Sequence, residues 1–375
     1  MNTSLRRTVV VTAAVSMALG MAACGKAGSS SSSSSTSAAA TGSSAGAATG
    51  TGTIGLLLPE NQTTRYEKFD KPLIEQKIKE LAPNATVQYA NAAGSPATQA
   101  QQVTTMINAG VKVLILDAQD AAAIKSSVTA AVAKGIKVVA YDRLAEGAVS
   151  AYVSFDNVAV GTLQGQGLLD ALGSKATPSA KIVEIDGDSA DPNAADFKSG
   201  FQAAVKGKVT IAYDASGLWK ADVAAQKASA AINQVGAKNI AGFYSANDGM
   251  AAGIVTSMKN AGIGNLPIGG QDAQLDAIQR IIAGTQSYTV YKAYKPEADA
   301  AATLAVDLLN GTSISSVATT TKTSGSGDSV PSDLLTPQLV TKANVESTVV
   351  KDGLWSASDI CTAAYKTACT AAGIQ

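Results

Sequence analysis

The chain has 375 residues, 29 lysines and arginines against 29 aspartates and glutamates, and no histidine. A balanced charge offers no basic surface for nucleic acid, and the missing histidine removes Ser-His-Asp and Cys-His catalysis, histidine-ligated zinc and histidine pH switching. Two carboxylates alone can hydrolyse a glycoside, so an enzyme of that kind survives the composition.

Met1–Ala23 carries Arg6 and Arg7, then an uncharged, largely apolar run, and ends in Met21-Ala22-Ala23 before Cys24. Such a stretch reads as a secretory signal peptide, too short for a comfortable membrane span. Small residues directly before a cysteine resemble a bacterial lipoprotein signal, with Met21 where leucine is more usual. That resemblance implies a lipid on Cys24 and anchoring to the outer face of the cytoplasmic membrane. From Gly25 to Gly52 the residues are Gly, Ser, Ala and Thr except for Lys26. Residues 24–52 are therefore expected to be a disordered tether, with a reach of about 30 Å. Without Arg6 and Arg7 the 29 basic residues fall to 27 against 29 acidic, a net charge of about −2. About 323 residues remain from Thr53, more than one hydrophobic core usually serves, so two lobes are expected.

Along that body, short β-branched or aliphatic runs alternate with longer alanine-rich amphipathic stretches. Strands are predicted at Ile54–Leu58, Thr86–Ala90, Val113–Leu116, Lys137–Tyr141, Ala151–Ser154, Lys181–Ile185, Val209–Tyr213, Ile240–Tyr244, Leu266–Gly269 and Tyr288–Tyr291. Helices between them include Pro96–Ala109, Ala121–Ala133, Val158–Leu172, Val223–Gln234, Gly249–Asn260 and Pro296–Leu309. Gly110, Gly135, Gly236 and Gly262 stand where these helices should stop. This βαβ rhythm predicts parallel sheets covered on both faces. Gly161, Gly165 and Gly167 lie inside a helix and do not form a dinucleotide fingerprint. Cys361 and Cys369 are either free thiols or, in an oxidising exterior, a disulfide. One straight helix would hold them about 12 Å apart, so a bridge requires a turn between them.

In open α/β sheets, ligand contacts collect beyond the C-terminal ends of strands. Polar residues gather there repeatedly: Glu60 to Arg65, Asp117, Asp142-Arg143, Asp156-Asn157, Asp186 to Asn193, Asp214 to Trp219, Asn247-Asp248, Gln271-Asp272 and Lys292. Any one Asp or Asn among them can be only a helix cap. Asp142-Arg143 can be only a surface ion pair, and Trp219 only a loop anchor. The set together suggests a cleft for a neutral ligand.

The same strand ends carry an ordered series of phrases. Gln62-Thr63-Thr64-Arg65-Tyr66, Ala140-Tyr141-Asp142-Arg143, Ser154-Phe155-Asp156-Asn157, Ser245-Ala246-Asn247-Asp248, Gly269-Gly270-Gln271-Asp272 and Ala283-Gly284-Thr285-Gln286 with Tyr291-Lys292 resemble those of periplasmic xylose-binding proteins. Leu334-Leu335-Thr336-Pro337 and Ser347 to Gly353 continue the likeness, which spans Thr53 to Gly353. It implies an α/β type I periplasmic binding protein fold, with two doubly wound parallel-sheet lobes joined by a three-segment hinge. It also implies a monosaccharide ligand, no cofactor or metal, and partnership with an ABC permease and its ATPase. Sugar-contacting positions carry over to Arg65, Asp142, Arg143, Asp191, Asn193, Trp219, Asn247, Asp272 and Lys292, with Tyr66 where relatives tend to have tryptophan. Asp191-Pro192-Asn193 and Ala215 depart from the usual pattern.

The expected lobes are residues 53–155 with 293–315, and 156–292 with 316–350, followed by a tail at 351–375. The chain is expected to cross between them near Ser154–Asn157, Tyr291–Tyr294 and Ser313–Thr320. Carboxylates and cationic groups can bond sugar hydroxyls, and Trp219, with Tyr66 or Phe155, can cover an apolar ring face. Three cations, Arg65, Arg143 and Lys292, against Asp142, Asp191 and Asp272 suit an uncharged ligand. Rival readings are a secreted glycosidase and a sensory receptor module. A transcriptional repressor is disfavoured, since no helix-turn-helix precedes Thr53.

Overall fold

The computed structural model describes residues 50–374, so the predicted signal peptide, Cys24 and nearly all of the tether lie outside it. The described chain runs β1 (Gly52–Leu58), α1 (Lys71–Leu81), β2 (Ala85–Asn91), α2 (Pro96–Asn108), β3 (Val113–Leu116), α3 (Lys125–Ala133), β4 (Lys137–Tyr141) and β5 (Ala151–Phe155). There follow α4 (Asn157–Leu172), β6 (Lys181–Asp186), α5 (Pro192–Val205), β7 (Thr210–Ser216), α6 (Ala221–Val235), β8 (Ile240–Ser245), α7 (Asp248–Asn260), β9 (Gly269–Gln271), α8 (Leu275–Ala283) and β10 (Tyr288–Tyr291). The chain ends with α9 (Tyr294–Asn310), β11 (Thr320–Thr323), β12 (Ser329–Leu335), β13 (Gln338–Thr341), α10 (Ala357–Ile360) and α11 (Lys366–Ala372).

One sheet has the order β11-β12-β5-β4-β3-β1-β2, parallel except for β11. Its strands bury both faces. Ile54, Leu56, Val113 and Ile115 join the core beneath α1 and α9, while Leu57, Leu114 and Leu116 join the core beneath α2 and α3. Strict alternation of side chains along a strand makes both cores from one apolar run. The second lobe contains two three-stranded groups, β7-β6-β8 and β13-β10-β9, joined through a bridge between Phe243 and Ile268.

In the second lobe α4 lies against α5 at very short range. A Cβ on Gly161 would sit 2.0 Å from the Phe197 carbonyl oxygen, and one on Gly200 would sit 2.0 Å from that of Val158. These glycines serve helix packing.

The chain leaves the first sheet after β5, returns after β10 into α9, and leaves again between Leu335 of β12 and Gln338 of β13. This last passage corrects the crossing expected around Ser313–Thr320 and the assignment of 316–350 to the second lobe. Residues 320–335 form an edge hairpin of the first sheet, with Leu335 in register with Phe155 and the Asp156 N–H donating to the Leu335 carbonyl at 2.9 Å. The polar sequence of β11 and the Gly325-Ser326-Gly327 turn read as loop, because an outermost strand needs little apolar content.

Residues 351–374 pack on the second lobe, with Trp355, Ile360, Cys369 and Ile374 buried beside Ile278, Ile281 and Ile282 of α8. Cys361 and Cys369 are bonded, with Cα atoms 5.8 Å apart across the turn that separates α10 from α11. No described helix is long and apolar enough to cross a membrane.

Candidate functional site

Arg65 and Tyr66 follow β1, Asp142 and Arg143 follow β4, and Asp191 and Asn193 begin α5 beyond β6. Trp219 follows β7, Asn247 follows β8, Asp272 follows β9 and Lys292 follows β10. All ten line one small cavity between the lobes, together with Thr63, Phe197 and Gln271. Every one of these loops sits at a strand's C-terminal end, so the topology alone converges them.

Capping and lining are not exclusive. Asp191 Oδ1 accepts from Asn193 N at 2.9 Å and Asn247 Oδ1 from Met250 N at 2.9 Å, capping α5 and α7, yet both residues line the cavity. Asp142, Trp219 and Asp272 hold φ of 54°, 58° and 97°. Non-glycine residues in this region cost free energy and persist only where neighbours fix them, a pattern typical of ligand sites.

The Arg65 guanidinium is surrounded by carboxylates. Its Nε lies 2.7 Å from Asp70 Oδ2, Nη1 2.9 Å from Asp142 Oδ1 and Nη2 2.6 Å from Glu297 Oε2. Burial alone would lower its pKa, but Asp142, Asp70 and Glu297 together raise it well above the ordinary value. Burial would raise the Asp142 carboxyl, but Arg65, Lys292 and Arg143 overcome that and lower it. Lys292 Nζ stands 3.2 Å from Asp272 Oδ1 and 4.0 Å from Asp142 Oδ1.

Asp70, Asp117 and Glu297 extend the expected three-against-three balance of charge. Burial pushes Glu297 up to about 8, against the pull of Arg65, and Asp117 well above the usual carboxyl range, against Arg143.

Arg143 joins the lobes. Its Nη2 donates to Tyr66 Oη at 3.0 Å, and its Nε lies 3.0 Å from Asp191 Oδ2 of the opposite lobe without an aligned hydrogen bond. Asn193 Nδ2 donates to the Asp142 carbonyl at 3.0 Å, Ala121 N to the Ala190 carbonyl at 3.1 Å, and Lys322 pairs with Asp196 at 2.8 Å. The cleft is thus shut.

Four buried atoms of the lining residues lack a protein hydrogen-bond partner: Arg143 Nε, Trp219 Nε1, Gln271 Oε1 and Asp272 Oδ1. They are two donors and two acceptors. Trp219 packs edge-on to Phe197 at 6.3 Å between ring centroids, and Gly187 lies directly against its ring. Phe155, expected as an aromatic wall, is instead core, clustered with Val160, Phe197 and Val290 where the first crossing begins.

The periplasmic binding protein domain family matches residues 54–313. The chain belongs to that family. Within it, the D-xylose-binding periplasmic protein of Escherichia coli (strain K12) is 36% identical over 316 residues, covering 82% of this chain and 92% of the relative. The multiple sugar-binding periplasmic receptor ChvE of Rhizobium radiobacter is 31% identical, over 82% and 92% of the two chains. A carbohydrate transporter solute-binding protein from Chloroflexus aurantiacus, solved in complex with D-glucose, superposes with a TM-score of 0.75 at 27% identity, over 82% and 97%. This is a family of sugar-binding transport proteins, and the type I periplasmic fold is shared throughout.

Sequence reading missed Phe197 because it lies inside a helix. Its one signal was the i, i+4 spacing from Asn193, which places both on the same face of α5. Thr63 and Gln271 stood within the recognised phrases without a role. Among the described residues, Glu184, Asp186 and Asp214 cluster closely enough for a metal ion, but Lys198 Nζ occupies their centre, 2.6 Å from Asp186 Oδ2.

Proposed function

We propose that this chain is the extracytoplasmic binding component of an ABC sugar importer, closing its two lobes on one monosaccharide, D-xylose. The observation that carries this reading is the set of polar and charged side chains from both lobes around one small cavity, among them the buried donor Trp219 Nε1 and the buried acceptor Gln271 Oε1, neither with a protein hydrogen-bond partner. A sugar hydroxyl both donates and accepts, so a polyol satisfies such a mixed set, whereas leaving it unpaired in a dry site costs about 1–3 kcal/mol per group.

In this reading Asp142, Asp191, Asn193, Asn247 and Asp272 bond hydroxyls. Arg65, Arg143 and Lys292 supply charge-assisted donors, and Tyr66 and Trp219 enclose the ring. Xylose is favoured by the 36% identity to a D-xylose-binding protein over most of both chains. The lobes turn about the three crossings, and ligand shifts the open and closed populations because contacts from both are complete only when shut. Cys24 carries a lipid, residues 25–52 tether the body to the outer face of the cytoplasmic membrane, and a permease with its ATPase receives the sugar.

The test is a thermal-shift and calorimetric screen of xylose, arabinose, ribose, glucose and galactose. A ligand at 100 times its Kd stabilises by about 2.7 kcal/mol. Xylose should give the largest shift, and a screen in which no monosaccharide gives heat or a shift would overturn the reading. A sensory role is the second reading, favoured by the likeness to a relative named a receptor. Loss of xylose uptake on deletion supports transport, while loss of a sugar-dependent transcriptional response with uptake intact supports sensing.

A further inference from the structure

Resting on the sugar-binding reading, we infer that Trp355, outside the cleft in the C-terminal segment, is a positioning residue for the site. Its ring is 3% exposed, and its Nε1 donates to the Ala273 carbonyl at 2.8 Å. Ala273 and its neighbour Asp272 both hold left-handed backbone, at φ of 49° and 97°. Two consecutive non-glycine residues in that region stay there only if surrounding bonds over-determine them.

Those bonds can be counted out. Asp272 N donates to the Val290 carbonyl at 2.9 Å and Ala273 N to Thr289 Oγ1 at 3.2 Å. The Asp272 carbonyl accepts from Tyr294 Oη at 2.6 Å, and the Ala273 carbonyl accepts from Trp355. Three of the four come from the strand β10 or the crossing that follows it. Trp355 alone comes from the C-terminal segment.

The same ring reaches the other lobe. Phe69 meets it edge-on at 5.2 Å between centroids, and Lys68 Nζ stands 4.1 Å from its centre. Phe69 also lies 5.4 Å from the Tyr294 ring. Lys68 and Phe69 belong to the turn Tyr66–Asp70, which carries one lining residue and the carboxylate that grips Arg65. Trp355 therefore spans the lobes behind the cleft, touching the backbone that aims Asp272 and the turn that bears Tyr66. Its own place is fixed by packing with Ile360 and Cys369, by the Cys361–Cys369 bond and by Gln279 Nε2 donating to the Ile360 carbonyl at 3.3 Å.

The test uses Trp355→Phe, which keeps a ring in the cluster and removes the N–H. Xylose affinity should fall about fivefold to tenfold, the weight of one neutral hydrogen bond acting on a ligand group. Because the effect runs through Asp272, it should vanish when measured on an Asp272→Ala background. A residue that only anchors the C-terminal segment would give no loss, or the same loss on either background, and each result overturns the inference. Independently, Trp219→Phe leaves Trp355 as the sole tryptophan, since the chain has two. Its emission should change on sugar addition as Lys68 and Phe69 move against it, and an unchanged spectrum in a variant that still binds sugar overturns the lobe-spanning part. A wild-type protein that binds no sugar sinks the sugar reading itself, a result distinct from a wild type that binds and a Trp355→Phe that binds equally well.

Discussion

Gly187→Ala places one methyl group against the indole of Trp219. A Cβ there would stand 2.1, 2.2 and 2.6 Å from Cζ2, Cη2 and Cε2 of Trp219. Carbon atoms rest about 3.5–4.0 Å apart, so the indole must withdraw by about 1.5 Å. It cannot withdraw freely: Phe197 flanks it, and Trp219 already holds a strained backbone at φ 58°. If the indole covers one face of a sugar ring, losing that cover costs about 2 kcal/mol, the scale of one small apolar side chain returned to water. In affinity this is about 30-fold. Calorimetry of wild type, Gly187→Ala, Trp219→Ala and the double variant forms a cycle, and the Gly187 effect should disappear once Trp219 is gone. An undiminished affinity in Gly187→Ala, or a full additional loss in the double variant, would refute the role given to Trp219.

Lys292→Ala removes the cation between Asp272 and Asp142, leaving buried carboxylates facing one another. Stability should fall by about 3 kcal/mol and sugar affinity by at least tenfold, read by urea unfolding and calorimetry; unchanged affinity would remove Lys292 from the site. Arg65→Ala and Arg143→Ala should differ in kind: Arg65 is committed to Asp70, Asp142 and Glu297 inside one lobe, so its loss should cost mainly fold stability, whereas Arg143 faces Asp191 across the cleft, so its loss should cost mainly affinity. Equal stability losses in the two would contradict this division. Burial pushes Asp248 up to about 8, opposed by Arg280, and Asp191 up to about 6, opposed by Arg143. Since both rise above their unfolded values of about 4, the folded chain holds more protons between about pH 4 and 8, and its stability must fall as pH rises through that window. The melting temperature should be higher at pH 6 than at pH 8.5, and the reverse order would refute the assignment.

Three strands were legible to the residue, whereas the buried β9, expected at Leu266–Gly269, lies at Gly269–Gln271. Val113–Leu116, Lys137–Tyr141 and Tyr288–Tyr291 are bounded in the structure as their apolar runs bound them. β11 escaped because a Thr-rich edge strand has no apolar run, and β12 because Pro331 and two serines interrupt its alternation. The lining residues were legible because strand ends concentrate them and because their order repeats a known series. The groups behind them were not. Glu297 reads as an ordinary acid in the first turn of a helix, and Asp70 as a polar residue ahead of one. Only the packing of α9 against the first sheet brings Glu297 to Arg65 across 232 positions of sequence. Such pairings leave no local trace, since each partner satisfies a local rule by itself.

Two of the contacts that shut the cleft pass through the site itself. Arg143 meets Asp191, and the Asn193 amide bonds the carbonyl of Asp142, a residue with left-handed backbone whose carboxylate is held by Arg65. The Lys322–Asp196 pair lies apart from the cavity and is partly exposed, so it contributes little and is screened by salt. Shutting therefore depends in part on groups that also face the ligand. A sugar that satisfies Arg143, Gln271 and Asp272 adds its bonds to the closed arrangement alone, because in an open cleft water serves the same groups. A sugar lacking one of those hydroxyls forfeits the bond and also leaves a buried atom unpaired, so discrimination among monosaccharides and the drive to close arise from the same interactions.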